Sequence, residues 1–147
     1  MKAVIFDLDG TLCDDSHRMH LLGSPGVKKD YKAYNALLHL DKVKEAVKMT
    51  LNGFHMYGCK IFLVTGRFEE VREATEKWLV ENQITYDGLV MRDNKDYRSG
   101  DIVKREELNK IRACGYDVIA AFEDRQKLID MFREEGLVCF AVENREN

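Results

Sequence analysis

Residues Val4-Ile5-Phe6 form a short apolar run that stops on Asp7-Leu8-Asp9-Gly10-Thr11. The run is apolar on both alternating faces and β-branched at Val4 and Ile5, which suits a strand buried in a parallel sheet. That restricts the fold, because a parallel strand reaches its neighbour only through a crossover connection. The acids fall where the strand ends, and in open α/β sheets ligands gather beyond the carboxyl ends of the strands. Strand alternation projects Asp7 and Asp9 to one side of that end. Carboxylates so close repel unless a cation or a shared proton relieves them. The pair asks for a metal.

The rest of the chain supplies the crossovers. Val43, Ala46, Val47, Thr50, Leu51 and Phe54 fall at helical spacing, and Gly58 closes that helix. Lys60 to Val64 reads as a second buried strand running into Thr65-Gly66-Arg67, and Val71, Ala74, Thr75, Trp78 and Leu79 form one face of the next helix. Gly88 to Met91 is a short third strand, and a helix is expected from near Asp101 to Ala113, ending at Gly115. Val118 to Phe122 is a fourth strand ending in Glu123-Asp124-Arg125. Leu128, Ile129 and Phe132 line a helix stopped by Gly136, and Leu137 to Val142 is a last strand. This alternation predicts an α/β, Rossmann-like fold: a five-stranded parallel sheet with right-handed crossovers and helices on both faces. Trp78 and the other aromatic positions are most simply core.

One segment breaks the rhythm. Residues 13–41 are polar, carry the turn signal Gly23-Ser24-Pro25-Gly26, and include a short helical candidate at Tyr31 to Leu38. A loop of this length directly after the acids reads as a lid-like insertion within a single domain spanning 1–147.

Bulk properties exclude some roles. The net charge of −3 gives no basic footprint for coating long nucleic acid, though it leaves a short nucleotide substrate open. No apolar run is long enough to cross a bilayer, and with the strand pattern starting at once no signal peptide is expected. Cys13, Cys59, Cys114 and Cys139 are scattered without C-x-x-C spacing, as expected of a reduced, cytoplasmic compartment. His17 and His20 have a spacing that could bind zinc, but no cysteine or acidic partner is obviously placed to complete a site.

Placed by strand end, the polar residues converge. Strand one delivers Asp7 and Asp9, strand two Thr65 and Arg67, strand four Glu123 and Asp124. Acids, a hydroxyl and basic groups on one rim describe a site for phosphate and a divalent, oxygen-ligated cation. A carboxylate nucleophile there forms an aspartyl-phosphate. Singly, each residue has a plainer role: Thr65 is also a candidate helix N-cap, and Lys104, Arg18 and Arg67 are candidate surface residues.

Together, Asp7-x-Asp9-Gly10-Thr11, Thr65-Gly66-Arg67, Lys104 and Glu123-Asp124 resemble the four motifs of the haloacid dehalogenase (HAD) superfamily of phosphotransferases. Ser16-His17-Arg18, Thr75-x-Lys77-Trp78-Leu79, Leu89-Val90-Met91-Arg92 and Asp96-Tyr97-Arg98-x-x-Asp101-Ile102-Val103-Lys104 extend the resemblance toward the 3′-phosphatase domain of phage-type polynucleotide kinase/phosphatase. The resemblance implies Asp7 as nucleophile and Asp9 as general acid, then base, with Mg²⁺ held by Asp7, the Asp9 carbonyl and Asp124, and Glu123 beside them. It implies Thr65 and Lys104 on the phosphoryl oxygens, and Gly66, Arg67, Arg18 and, less directly, Arg98 on phosphate or nucleotide. Glu123 stands where many relatives carry Asp, and Gly100 where some carry an acid four residues before the lysine. No G-x-x-x-x-G-K-[ST] segment occurs, so a phosphatase without its kinase is expected.

The implied substrate is a phosphorylated nucleotide or polynucleotide 3′ end, with no stable protein partner. Two other readings stand beside it: a phosphatase for 5′-nucleotides or sugar phosphates, and a receiver-like phospho-acceptor domain. Receivers carry the phosphorylated acid on a middle strand, whereas here the third strand ends in Met91-Arg92.

Overall fold

The computed structural model describes residues 1–23, 26 and 28–143. In chain order the elements are β1 (Lys2–Phe6), β2 (Cys13–Asp14), α1 (Tyr31–Ala36), β3 (Lys42–Val43), α2 (Glu45–Met56), β4 (Lys60–Phe68), α3 (Arg72–Glu81), β5 (Gly88–Arg92), α4 (Gly100–Ala113), β6 (Asp117–Glu123), α5 (Gln126–Glu134) and β7 (Val138–Ala141). The main sheet has five strands in the order β5-β4-β1-β6-β7, all pairs parallel, so β1 lies at its centre. This is the expected α/β architecture.

Strand alternation sorts the core into two layers. Val4 and Phe6 pack with Val47 and Leu51 of α2 and with Trp78 and Leu79 of α3 on one face. Ala3 and Ile5 pack on the other with Leu108 and Ile111 of α4 and with Ile129 and Phe132 of α5. Each such large side chain, fully buried, contributes about 1.5–3 kcal/mol. Gly58 and Gly136, expected to stop α2 and α5, follow their last turns with φ of 96° and 88°, a conformation that side chains disfavour.

The strand ends are brought level by register. Phe6, Phe122 and Phe140 are aligned partners across β1, β6 and β7, and their rings stack at 4.4 Å and 4.6 Å. The next residues, Asp7 and Glu123, therefore leave the sheet side by side, and the Asp7 N–H is pinned to the Phe122 carbonyl at 3.1 Å.

Several boundaries differ from expectation. Thr65-Gly66-Arg67 lies inside β4, which runs to Phe68 with an irregular register against β5 between Val64 and Phe68. Val43 belongs to β3 and not to α2; it pairs with Cys13 at the base of the insertion. The helical candidate at Tyr31 shortens to Tyr31–Ala36, followed by a 3₁₀ turn at Leu38–Leu40. A second 3₁₀ segment, Ser16–Leu22, precedes it. The turn signal at Gly23-Ser24-Pro25-Gly26 falls partly outside the described residues. The insertion is rooted by the β2–β3 pair and by Lys44, whose ammonium donates to the Gly10 carbonyl at 2.7 Å. Among the described residues, no helix is long and apolar enough to cross a membrane.

Candidate active site

Asp7, just past β1, and Lys104, on the second turn of α4, are both buried. The Lys104 ammonium donates to Asp7 Oδ1 at 2.9 Å and to Glu123 Oε2 at 2.8 Å. Burial works against that charge, but Asp7 and Glu123 outweigh it and raise the lysine above its ordinary value. Burial, with the Asp7 charge adding to it, pushes the Glu123 carboxyl up against the opposing pull of Lys104. The other oxygen of Glu123 accepts the backbone N–H groups of Asp124 and Arg125 at 3.2 Å and 3.4 Å. Glu123 thus holds both the lysine and the turn that carries Asp124. Thr11 bridges the acids, donating to Asp124 Oδ1 at 3.0 Å with Asp7 Oδ2 at 3.4 Å.

Asp7, Glu123 and Asp124 each offer an oxygen, all within 4.8 Å of one another and all buried. An all-oxygen donor set of this kind suits a hard cation such as Mg²⁺. The residues fit.

Asp9 faces a different environment. Its carboxylate takes Arg67 Nη2 at 2.6 Å and Nε at 3.1 Å, and Arg18 Nη2 at 2.7 Å. Burial opposes its charge, yet the two guanidiniums outweigh burial and hold the carboxyl at about 2. Behind the arginines lies Asp41, whose side chain is fully enclosed. Arg18 donates to it from Nε at 2.8 Å and from Nη2 at 2.6 Å, a bidentate pair, and His17 Nε2 sits 2.7 Å away. The Arg18 guanidinium lies 3.9 Å over the Tyr34 ring, and the Tyr34 hydroxyl donates to Asp15 at 2.7 Å. Trp78 ties the Asp41 carbonyl to α3 through Nε1 at 2.9 Å. Sequence reasoning did not single out Asp41. His17 finds its acidic partner there, 24 residues on.

Thr65 is not a helix cap. It sits in β4, its hydroxyl accepting the Arg67 N–H at 3.1 Å, and α3 starts only at Arg72. Arg67 is buried and is not a surface arginine. Asp7, Asp9, Thr65, Gly66, Arg67, Lys104 and Glu123 line one cleft of about 620 Å³, with Lys29, Tyr31, Tyr34 and Asn35 of the insertion opposite. Arg98 is not brought there: its guanidinium is engaged by Asp96 and Glu106 on the exposed side of α4. The arginine of this region that does line the cleft is Arg92.

The profile of the family described as the polynucleotide kinase PNKP phosphatase domain matches residues 1–146. The chain belongs to that family. Within this PNKP-type phosphatase family, 97% of the chain aligns at 38% identity and a TM-score of 0.80 with 45% of a chain in a structure titled "Structure of Pnkp1/Rnl/Hen1 complex". A chain in "Structure of the Pnkp1/Rnl/Hen1 RNA repair complex" matches at 36% identity and a TM-score of 0.79, over 97% of this chain and 42% of that one. The protein thus spans under half the length of these solved relatives. The fold is shared more widely. A class C acid phosphatase from Bacillus anthracis superposes with a TM-score of 0.70 at 19% identity, over 99% of this chain and 67% of that one.

Proposed function

We propose that the protein is a Mg²⁺-dependent phosphomonoester hydrolase that works through an aspartyl-phosphate on Asp7 and removes 3′-phosphates from polynucleotide ends or nucleotides. The observation that carries this reading is the division of the two acids. Asp7 is held by an ammonium inside a carboxylate cluster, while Asp9 is held by guanidiniums.

The Asp7 oxygen not held by Lys104 is the attacking atom, forming a bond to phosphorus as the bond from phosphorus to the 3′ oxygen breaks. Asp9 gives the leaving oxygen its proton. A water that Asp9 deprotonates then attacks phosphorus, releasing inorganic phosphate and restoring the Asp7 carboxylate. Lys104, the Thr65 hydroxyl and the Gly66 N–H stabilise charge on the transferring group. Mg²⁺, held by Asp7, the Asp9 carbonyl and Asp124, would neutralise phosphoryl charge and orient that group.

Asp9 held near 2 is a carboxylate, so it takes up a proton only once Arg67 turns to substrate oxygens. Arg67, which lines the cleft, therefore has two acceptors to choose between, Asp9 and the substrate, while Arg18 is fully buried, does not line the cleft and stays on Asp41. The insertion that carries Arg18 would close over the bound end as a lid. The relatives' place in an RNA repair complex favours a nucleic-acid end over a sugar phosphate.

The test compares Mg²⁺-dependent phosphate release from 3′-phosphorylated and 5′-phosphorylated oligonucleotides, mononucleotides and sugar phosphates, with Asp7→Asn as control. Preference for 3′ ends and an inactive Asp7→Asn are expected. Equal rates on both ends, or activity confined to sugars, refutes the substrate. Full activity in Asp7→Asn refutes the covalent route.

A further inference from the structure

We propose that Arg92, with Phe68 and Tyr97, forms a subsite for the nucleotide preceding the 3′-phosphate, Arg92 taking the internucleotide phosphodiester and the rings taking a base. This rests on the 3′-phosphatase reading above and narrows it: the substrate is a strand and not a mononucleotide.

Arg92 ends β5, in register with Phe68 at the end of β4, one residue beyond Arg67. It thus stands one strand outward from Arg67 and two from Asp7, lining the same cleft. Its Nε and Nη2 are enclosed and find no hydrogen-bond partner among the described residues. Enclosed guanidinium N–H groups without acceptors are costly, so this geometry calls for an explanation, which a ligand supplies. The nearby arginines differ. Arg18 and Arg67 are saturated by Asp9 and Asp41, and Arg98 by Asp96 and Glu106.

A planar fork with two unanswered donors matches the paired oxygens of a phosphodiester. The surroundings indicate what lies beside that anion. The guanidinium carbon is 5.6 Å from the Phe68 ring centre, and Phe68 is 5.9 Å from Tyr97, whose side chain is 81% exposed at the cleft mouth. An exposed aromatic beside a cation is a platform for stacking a base without reading its sequence. The loop bearing Tyr97 is anchored: Asn94 accepts the Glu70 N–H at 2.8 Å, and Arg98 ties Asp96 to Glu106.

The test measures kcat/KM on a nucleoside 3′-monophosphate, on a dinucleotide 3′-phosphate, and on the same dinucleotide with its internucleotide linkage made neutral as a methylphosphonate. The wild-type protein is expected to prefer the dinucleotide roughly tenfold or more, the worth of one charge-assisted hydrogen bond, and to lose most of that preference on the neutral linkage. Arg92→Gln is expected to show little sensitivity to the linkage, Arg92→Lys to recover part of it, and Phe68→Leu to lower the preference through KM. The neutral-linkage comparison in the wild-type protein needs no variant to fold. Release from 3′ ends with no dependence on linkage charge, or equal dependence in wild type and Arg92→Gln, overturns the subsite alone. No release from any 3′-phosphate overturns the reading of function and the subsite with it.

Discussion

Replacing Asp41 by asparagine preserves shape and removes one charge from the centre of the arginine network. The side chain is fully enclosed, accepts two Arg18 hydrogen bonds at 2.8 Å and 2.6 Å, and lies 3.4 Å from Arg67 Nη2. Asparagine keeps one acceptor but turns an NH₂ group toward a donor. Breaking a buried ion pair from one side costs about 3–5 kcal/mol. The lower end applies, because Arg18 retains Asp9 at 2.7 Å and the Tyr34 carbonyl at 3.4 Å. A loss of about 3 kcal/mol corresponds to a Tm lowered by about 6–12 °C for a domain of this size. Urea unfolding of wild type, Asp41→Asn, Arg18→Gln and the double variant measures it, provided the m-value is unchanged. A coupling of at least about 1 kcal/mol is expected between the two positions. A loss under about 1 kcal/mol, or additive effects, would refute the claim that Asp41 anchors Arg18.

Asp9 gives an acid-side prediction. Its folded value of about 2 lies below the ordinary 3.8, so its stabilisation is complete above pH 4 and is lost as pH falls through 2. That amounts to about 2 kcal/mol, seen as a shallower acid limb of the stability curve in Asp9→Asn. Lys104→Met is expected to lower turnover at least about 10²-fold. Its Tm should rise more with Mg²⁺ than that of the wild type, since Asp7 and Glu123 lose the ammonium between them; equal shifts would count against a shared charge cluster. Leu51→Ala, at a fully buried position, is expected to cost about 3 kcal/mol in urea unfolding while leaving KM unchanged.

What the sequence revealed follows from how each part is stabilised. The rim was legible because β1, β4 and β6 are runs of apolar residues, and their ends announce themselves as abrupt changes in polarity at Asp7, Thr65 and Glu123. The contacts inside residues 13–41 were not, because Arg18, Asp15, Tyr34 and Asp41 form a buried cluster of polar side chains, which hydropathy scores as surface. Asp41 stands in a polar stretch 23 residues from its arginine, a separation that no periodicity spans. Arg98 and Arg92 illustrate the same limit. Both follow the third strand, but Arg98 is captured by Asp96 two residues before it and by Glu106 a turn and more along α4, while Arg92 remains at the strand end. Val43 was assigned to a helix because its spacing fits α2, and pairing with Cys13 prevailed.

The central position of β1 has a consequence for assembly. Its hydrogen-bonding partners begin at Lys60 and Asp117, so the strand that leads into Asp7 precedes both neighbours in the chain and must wait for each of them. Loop closure over such separations slows folding and leaves an apolar edge open to wrong pairings meanwhile. No partial chain ending before β6 can hold Asp7 against Glu123 and Lys104 together, so the candidate site is assembled only once the three central strands are paired.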